Sequence, residues 1–383
     1  MRTTEFTLLV LFLIAAAEIF WSYLGYPVFL LICAQFVSRK RILAEWLPDV
    51  SVVITAHNEE KRIAQKIENT LALDYPADKL KIIVVSDAST DRTEEIVRHY
   101  ANRGVALIVV PERRGKHHGQ GKGIASAHTD IVVMSDATTF LNSDAVRLIV
   151  QNYADPKIGC VSGCDDVQEH QESSAGEGAY VRYEMALRRL ESKVSSLIGA
   201  SGSFFSVRRS LCDSWIDDMS SDFYLPITCY IKGYRSILDE RSIGHYSVLH
   251  DPSREFQRKL RTVVHGLEVL FHFKRALNPF RYGLYSIQLL SHKLCRWLVP
   301  FAMIVALVTN ILLLPYGLIY QLIFVLHGFT YLLAILAFFI KPIQNQTTFK
   351  IPLFFVMVNL SILVAWYKFL RGEKYVVWKA TER

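Results

Sequence analysis

The amino-acid sequence predicts an α/β protein: a doubly wound, mostly parallel sheet flanked by transmembrane α-helices. Between residues 48 and 281, apolar runs of strand length alternate with amphipathic helical patterns. Apolar segments long enough to cross a bilayer lie on both sides of that region. They account for a mean hydropathy of +0.22 in a chain of 383 residues with 51% hydrophobic and 21% charged residues.

The alternating elements form a βαβ series. Strands are predicted at residues 50–56, 81–86, 105–110 and 130–135, and helices at 61–73, 93–101, 119–128 and 143–153. The strands are continuous apolar runs, as expected for parallel strands buried on both faces. An open sheet covered by helices follows from this pattern.

The apolar segments divide the chain into three predicted parts. Residues 1–47 hold a transmembrane or interfacial helix, and the basic Arg39-Lys-Arg41 after it predicts that residues 48–281 form a cytoplasmic domain. Residues 282–383 form a membrane region with apolar blocks at 294–314, 318–340 and 352–370, followed by a basic tail. Three spans there would leave the tail outside, against the same rule, so the number of spans and the topology stay open.

Composition and motifs exclude several classes of protein. The net charge of +7 fits a membrane surface or an anionic substrate, and no basic run interleaved with aromatic residues suggests nucleic acid as a partner. A dinucleotide-binding oxidoreductase is excluded because residues 55–60 contain no glycine. Residues 115–123 only approximate a P-loop, and they predict a flexible basic loop, either solvated or wrapped around phosphates, with His117 and His118 at the surface.

Polar residues follow the predicted strands at the ends where a ligand would bind. Asp87 ends the second strand and Asp136 the fourth, and the first strand runs through Ala56 to Glu59. In an open parallel sheet, ligands bind beyond these carboxyl ends. Each aspartate could instead cap the following helix, but their joint occurrence favours a polar site.

Three later residues are also candidates. Asp222 lies near the start of a predicted helix that ends at about residue 233, where capping is the alternative role. Arg258 and Arg261 lie three residues apart on one helical face, so their guanidinium groups could hold a diphosphate. Because a membrane segment follows, they could equally bind lipid headgroups, and position alone does not separate the two roles.

Taken in order, these motifs resemble the membrane-anchored family 2 glycosyltransferases, in particular the subfamily with a single N-terminal anchor. The resemblance runs from Val50 to the tryptophan-containing tail. Its most specific elements are Val52-Val-Ile-Thr-Ala-His-Asn-Glu59, Val85-Ser-Asp-Ala-Ser-Thr-Asp91, Arg114-Gly-Lys116, Met134-Ser-Asp-Ala-Thr138, Gly199-Ala-Ser-Gly202, Asp222, Arg258-Lys-Leu-Arg261 and Leu289-Leu-Ser-His-Lys-Leu-Cys-Arg-Trp297.

The resemblance implies a type A nucleotide-diphosphosugar transferase fold and inverting transfer from a UDP-sugar. Asp222 matches the catalytic base, and Asp136 matches the residue near the ribose and a divalent cation, Mg²⁺ or Mn²⁺. The matching donor-nucleotide-binding residues are Ala56, Glu59, Asp87, Lys116, Asp136, Arg258 and Arg261. Of these, Ala56, Glu59 and Asp87 would hold the nucleoside, and the lysine and arginines would approach the diphosphate.

Three positions depart from the family pattern. Thr138 replaces the second aspartate of the Asp-x-Asp motif, so a second metal ligand, with His245 and His250 as candidates, is an open question. Ser221 replaces a glutamate beside Asp222. Thr262 replaces a tryptophan that helps processive synthases to hold their polymer, which argues against such an enzyme without excluding it.

The expected function is therefore transfer of a sugar to a lipid-linked or glycan acceptor. The expected location is the membrane, with the catalytic domain at the cytoplasmic face of a bacterial inner membrane. A processive polysaccharide synthase that also exports its polymer is one alternative. A catalytically silent, nucleotide-binding membrane scaffold is another.

Overall fold

The computed structural model describes residues 3–37, 41–168, 175–247, 252–344 and 346–373. Within these ranges one sheet contains eight strands: β1 Val50–Ala56, β2 Leu80–Asp87, β3 Val105–Val110, β4 Ile131–Asp136, β5 Phe140–Leu141, β6 Ile158–Gln168, β7 Phe204–Arg208 and β8 Arg235–Ser247. Their order is β3-β2-β1-β4-β7-β6-β8-β5. The β1–β2, β1–β4, β2–β3 and β6–β8 pairs are parallel, whereas β7 runs antiparallel to β4 and β6. The predicted mostly parallel α/β sheet is confirmed.

The central strands are buried on both faces. Val52 and Ile54 of β1 pack into one apolar cluster, and Val53 on the same strand packs into the cluster on the opposite face. Helices cover both sides of the sheet, as the continuous apolar runs of the sequence predict.

The helices follow the strands in chain order. In the described chain they are α1 Thr3–Phe20, α2 Tyr26–Phe36, α3 Ile63–Leu71, α4 Thr93–His99, α5 Lys116–Ser126, α6 Ala145–Val150, α7 Ala175–Val194, α8 Ser221–Ile231, α9 Pro252–His272, α10 Pro279–Tyr282, α11 Leu284–Leu289, α12 Arg296–Leu313, α13 Leu318–Phe339 and α14 Thr347–Leu370. A π-helical turn, Trp21–Gly25, joins α1 to α2, and another, Leu290–Cys295, joins α11 to α12.

One prediction about α5 is wrong. The glycine-rich stretch after Gly115 is a helix that starts at Lys116, not a flexible loop. Its glycines allow close packing on the sheet: a Cβ at Gly119 would lie 2.5 Å from Thr55 Cγ2, and one at Gly123 would lie 2.4 Å from Val53 Cγ1. His118, expected at the surface, is buried and lies 2.9 Å from Asp217 Oδ2.

Four helical segments of the described chain are long and apolar enough to cross a membrane: Thr3–Phe36, Leu284–Tyr316, Leu318–Phe339 and Thr347–Leu370. The first is continuous through the π-helical turn, so Gly25 and Pro27 do not break it. Leu322, Val325 and Phe339 of α13 expose their apolar side chains, as lipid-facing residues do. The division at residues 47 and 281 and the topology stay predictions.

Helix α9 lies between the sheet and these apolar helices. Leu260, Val264 and Leu267 on its apolar face are buried in the core. A Cβ at Gly266 would lie 2.5 Å from the ring of Trp297 near the start of α12, so the two helices are in close contact. This packing fixes the position of the arginines on the first half of α9.

Candidate active site

The ends of three parallel strands form the floor of the candidate site. In the sheet register Ala56 of β1 lies beside Ser86 of β2, and Thr55 lies beside Asp136 of β4. The predicted residues Ala56, Asp87 and Asp136 therefore meet at one edge of the sheet. Ala56 and Asp87 are buried, whereas about a third of the Asp136 side chain is exposed (33%).

Asp87 organises the loop that leads into α5. Its Oδ1 accepts a hydrogen bond from the Arg114 amide and its Oδ2 one from the Gly115 amide, each at 2.8 Å. Its carbonyl oxygen lies 2.7 Å from His57 Nδ1. Gly115 then adopts φ 89°, a left-handed conformation that glycine tolerates, and α5 begins at the next residue.

The loops after β1 and β2 are tied together by polar contacts. The Glu59 amide donates to Thr93 Oγ1 at 2.8 Å, and Asn58 Oδ1 accepts from the Thr90 amide at 2.8 Å. Asn58 and Ala88 both have positive φ, 54° and 52°, which marks two tight turns side by side. The buried Glu59 is thus held at the rim of the same edge as Asp87.

Lys116 connects this edge to a second loop. Its Nζ lies 2.5 Å from Asp136 Oδ1 and donates to the Gly202 carbonyl oxygen at 2.7 Å. Gly202 lies beside Asp222 as well, since a Cβ on it would be 3.4 Å from Asp222 Oδ2. The Gly202 backbone therefore brings Lys116, Asp136 and Asp222 together.

Asp222 is held at the first turn of α8. Its Oδ1 accepts from Ser220 Oγ at 2.7 Å, and its carbonyl oxygen accepts from the Ala200 amide at 2.8 Å. Ser220 is the N-cap residue, so Asp222 does not cap the helix. Its second carboxylate oxygen faces the Gly202 side, where a Cβ is absent.

Arg261 of α9 lies within electrostatic range of Asp136. Burial and the neighbouring Arg258 guanidinium lower the pKa of Arg261, and the Asp136 carboxylate opposes this effect. Arg258 is exposed and Arg261 is partly buried. One cation from α9, Arg261, and one from α5, Lys116, thus act on the Asp136 carboxylate.

Two residues that the sequence analysis did not select lie close to this group. Lys66 of α3 is fully buried and donates to Ser135 Oγ at 2.7 Å and to the Thr139 carbonyl oxygen. Burial lowers its pKa to about 7, and Asp136 acts in the opposite direction. An amphipathic helix pattern gives no signal that this lysine points inward.

His117 is the second residue. Its Nδ1 lies 3.3 Å from both Ser221 Oγ and Gln120 Oε1. Burial lowers its pKa to about 4, opposed by Asp222 and assisted by the charge of Lys116 and by His265. The imidazole is therefore neutral at physiological pH. The expectation of a surface histidine is wrong, because the segment is a packed helix.

The residues around Asp136 provide few oxygen ligands for a metal ion. In the part of the chain that the structure describes, no three His, Cys, Asp or Glu side chains form a group that could hold a metal. His245 contacts Asp166 Oδ2 at 2.8 Å through Nδ1 and Asn142 Oδ1 at 2.7 Å through Nε2. His250 lies outside the described residues. One carboxylate suits a hard cation that takes its remaining ligands from a diphosphate and water.

Sequence comparison relates this chain to sugar transferases. Residues 51–215 match the model of the family Glycosyl transferase family 2. Poly-beta-1,6-N-acetyl-D-glucosamine synthase of Staphylococcus aureus (strain COL) is 25% identical over 259 residues, 65% of this chain and 62% of that protein. Probable glycosyltransferase YdaM of Bacillus subtilis (strain 168) is 29% identical over 238 residues, 57% of each chain. The chain thus matches less than two thirds of the length of either relative.

A solved structure shares the fold over nearly the whole chain. The mannosyltransferase PcManGT from Pyrobaculum calidifontis, in complex with GDP-Man and Mn²⁺, superposes with a TM-score of 0.73 at 21% identity. The match covers 95% of this chain and 100% of that one. The expected type A nucleotide-diphosphosugar transferase fold is confirmed.

Proposed function

We propose that the protein is an inverting glycosyltransferase, since residues 51–215 match the model of Glycosyl transferase family 2. It transfers a sugar from a UDP-sugar to a lipid-linked or glycan acceptor at the cytoplasmic face of a membrane. The observation that carries this proposal is the convergence of Lys116, Asp136 and Asp222 around Gly202. In this group Asp222 is the base, Asp136 is the carboxylate ligand of the cation, and Lys116 binds phosphate. All three lie near the carboxyl ends of the parallel strands.

Asp222 acts as the general base. Its Oδ1 is occupied by the Ser220 hydroxyl, so Oδ2, on the Gly202 side, accepts the proton of the acceptor hydroxyl. The acceptor oxygen then bonds to the anomeric carbon, and the bond from that carbon to the UDP oxygen breaks. The bonding electrons leave with UDP, and attack from the opposite face inverts the anomeric configuration.

Positive side chains stabilise the departing UDP. Lys116 begins α5, where its ammonium group and the helix N-terminus together favour a diphosphate. Arg261 and Arg258 approach from α9 and offer planar donors to the same phosphates. These cations, which the fold already holds in position, stabilise the negative charge that develops on UDP as it leaves.

Asp136 would hold a divalent cation, Mg²⁺ or Mn²⁺, together with the donor diphosphate. When bound, such a cation supplies positive charge to the diphosphate oxygens. The Mn²⁺ in the mannosyltransferase complex supports this role, as does the partly exposed Asp136 carboxylate. Thr138 adds no carboxylate, so the cation depends on donor oxygens for most of its ligands.

The nucleoside is proposed to lie against Ala56, Glu59 and Asp87. Their positions match the family pattern, and all three are buried at one rim. Asp87 already accepts two backbone hydrogen bonds, so it shapes the pocket through the Arg114–Gly115 turn. Glu59 is held by the Thr93 contact.

Membrane association is supported by the four apolar helical segments of the described chain. A processive polysaccharide synthase is the second candidate, favoured by the similarity to the poly-beta-1,6-N-acetyl-D-glucosamine synthase. Thr262, in place of the family tryptophan, favours single addition. The two candidates share a catalytic centre and differ in what happens to the product.

Release of the nucleotide by the purified chain in lipid tests the proposal. A panel of UDP-sugars and GDP-mannose is supplied with Mg²⁺, Mn²⁺ or a chelator. We expect nucleotide release from one UDP-sugar and loss of release with the chelator. The size of a labelled product separates single addition from polymerisation. Release only from GDP-mannose would contradict the donor assignment, and absence of UDP binding would contradict the function.

A further inference from the structure

Lys293 lies where the membrane region meets the catalytic base. It belongs to the π-helical turn Leu290–Cys295, within the apolar segment Leu284–Tyr316. Its Nζ lies 5.2 Å from the centre of the Phe223 ring, and Phe223 is the residue after Asp222. π-Helical turns inside helices often occur at functional sites, because they redirect side chains.

The charged residues around Lys293 are paired with one another. Arg296 Nη1 contacts Glu184 Oε1, and His292 bridges Glu184 Oε2 at 3.1 Å and Glu191 Oε1 at 2.6 Å. Tyr26 also donates to Glu191 Oε1 at 2.7 Å. Among the described residues, Lys293 Nζ contacts an aromatic face, makes no hydrogen bond, and has no ion-pair partner within 4 Å. Its three donors are therefore available to a ligand.

Arg188 adds a second cation to the same place. Arg188 lies within electrostatic range of Lys293, as do the Glu184 and Glu191 carboxylates. Its Nη1 lies 3.7 Å from Asp165 Oδ2, a loose ion pair. Asp165 Oδ1 accepts from Ser201 Oγ and Ser203 Oγ, each at 2.6 Å. Arg188 is thus linked through Asp165 to the loop that contains Gly202, and it is this loop that contacts Asp222.

Two glycines, Gly199 and Gly202, lie beside the Asp222–Phe223 segment. A Cβ at Gly199 would lie 3.8 Å from the Phe223 ring, and the atoms nearest to one at Gly202 would be those of the Asp222 carboxylate, at 3.4 Å. A methyl-sized group therefore fits at each glycine in ordinary van der Waals contact with the Asp222–Phe223 segment. A partly buried cation without a hydrogen-bond acceptor favours an anionic ligand there.

We propose that Lys293, assisted by Arg188, binds a diphosphate group that joins the acceptor sugar to a lipid tail. This inference rests on the proposed function and specifies its acceptor. The hydroxyl of the head sugar reaches Asp222, and the diphosphate group lies against Lys293. The lipid tail leaves along the apolar helices, since Lys293 is part of one of them. An uncharged glycan acceptor would leave Lys293 unused.

Binding of farnesyl phosphate, compared with farnesol, tests the inference on the full chain in a non-ionic detergent. Both probes have the same tail, so their difference reports the phosphate. We expect the wild type to bind farnesyl phosphate at least about tenfold more tightly than farnesol, the scale of a charge-assisted hydrogen bond. Lys293→Gln should abolish this preference, and Lys293→Arg should retain most of it.

Lys368→Gln is the matched control. Lys368 also lies at the end of an apolar helix, but its Nζ is 2.7 Å from Glu373 Oε2. The Lys368→Gln variant should bind farnesyl phosphate as tightly as the wild type does. A phosphate preference that survives in Lys293→Gln, or is lost equally in Lys368→Gln, would overturn the inference.

Two competitors distinguish a lipid-linked acceptor from free phosphate and from a membrane phospholipid as the ligand of Lys293. Inorganic phosphate should compete poorly, because it has no tail, and phosphatidylglycerol vesicles should compete poorly, because their phosphodiester carries one charge. Equal competition by either would overturn the acceptor assignment. UDP binding is measured in the same samples. Its absence from the wild type would refute the proposed function, whereas UDP binding without a phosphate preference would refute only this inference.

Discussion

Lys116 and Asp136 form an ion pair, Nζ to Oδ1 at 2.5 Å, at the centre of the candidate active site. The lysine that would hold the donor diphosphate thus neutralises the carboxylate that would hold the cation. A diphosphate that draws Lys116 away frees Asp136 for the cation, and a cation on Asp136 frees Lys116 for the diphosphate. The pair therefore favours joint binding of donor and cation over binding of either alone.

Replacement of Lys116 separates the two affinities. Lys116→Met should weaken UDP binding by about tenfold or more, because a charge-assisted contact to phosphate is lost. Without nucleotide, the same variant should bind Mn²⁺ about two to five times more tightly, the scale of a partly exposed ion pair. Calorimetric titration with each ligand measures both. A parallel loss of both affinities would argue against competition for Asp136.

Arg261 should matter more for the donor than Arg258 does. Arg261 is partly buried and close to Asp136, whereas Arg258 is exposed. Arg261→Gln is expected to raise the Kd for UDP by about ten- to hundredfold, and Arg258→Gln by less, because water screens an exposed charge. Arg281→Gln, which removes an arginine stacked on Tyr282, is the control and should not change UDP binding. Equal effects at positions 258 and 261 would refute the assignment of the buried arginine.

The pKa of His117 predicts a loss of stability in acid. Its folded-state value of about 4 lies below the usual 6.5, so the unfolded chain binds more protons between these values. The free energy of unfolding should therefore decrease as the pH falls from 6.5 towards 4, by about 1–3 kcal/mol.

His117→Asn keeps an acceptor near the Nδ1 position and cannot become charged. Its melting temperature should match that of the wild type at pH 7.5 and fall less between pH 6.5 and 4.5. Identical pH profiles for the two proteins would show that His117 is protonated as easily in the folded as in the unfolded chain.

Glycine at position 123 is required for packing of α5. Gly123→Ala would bring a Cβ to 2.4 Å from Val53 Cγ1 in the sheet, and overpacking of this kind costs about 1–3 kcal/mol. The melting temperature should fall, and UDP affinity should fall with it, because α5 carries Lys116. Gly328→Ala is the control: its Cβ would meet nothing within 4 Å, so stability should be unchanged or slightly raised. An unaffected Gly123→Ala would contradict the close contact.

The strands and the site edge could be predicted from sequence because their signals are local. Largely apolar runs set β1 and β3 at their predicted bounds, and parallel strands bring the residues at their carboxyl ends, such as Asp87 of β2 and Asp136 of β4, to one edge. The helix predicted at residues 119–128 is present, but the flexible loop predicted at residues 115–123 is not, because glycines that allow close contact look the same in sequence as glycines that allow flexibility.

Residues that depend on tertiary contacts could not be found in this way. Lys66 has the spacing of a helix surface, yet the turn after β4 encloses its ammonium group. The spacing of Arg258 and Arg261 predicted one helical face. Only the folded chain shows that Arg261 on this face lies within electrostatic range of Asp136.

The Asp222→Asn variant tests the central claim most directly, with UDP affinity and sugar transfer measured on the same preparation. Asparagine keeps the shape of the side chain but cannot accept the proton of the acceptor hydroxyl. We expect transfer to fall at least about a hundredfold while the Kd for UDP changes by less than about twofold. Transfer at the wild-type rate, or loss of UDP binding together with transfer, would contradict the assignment of Asp222 as the base.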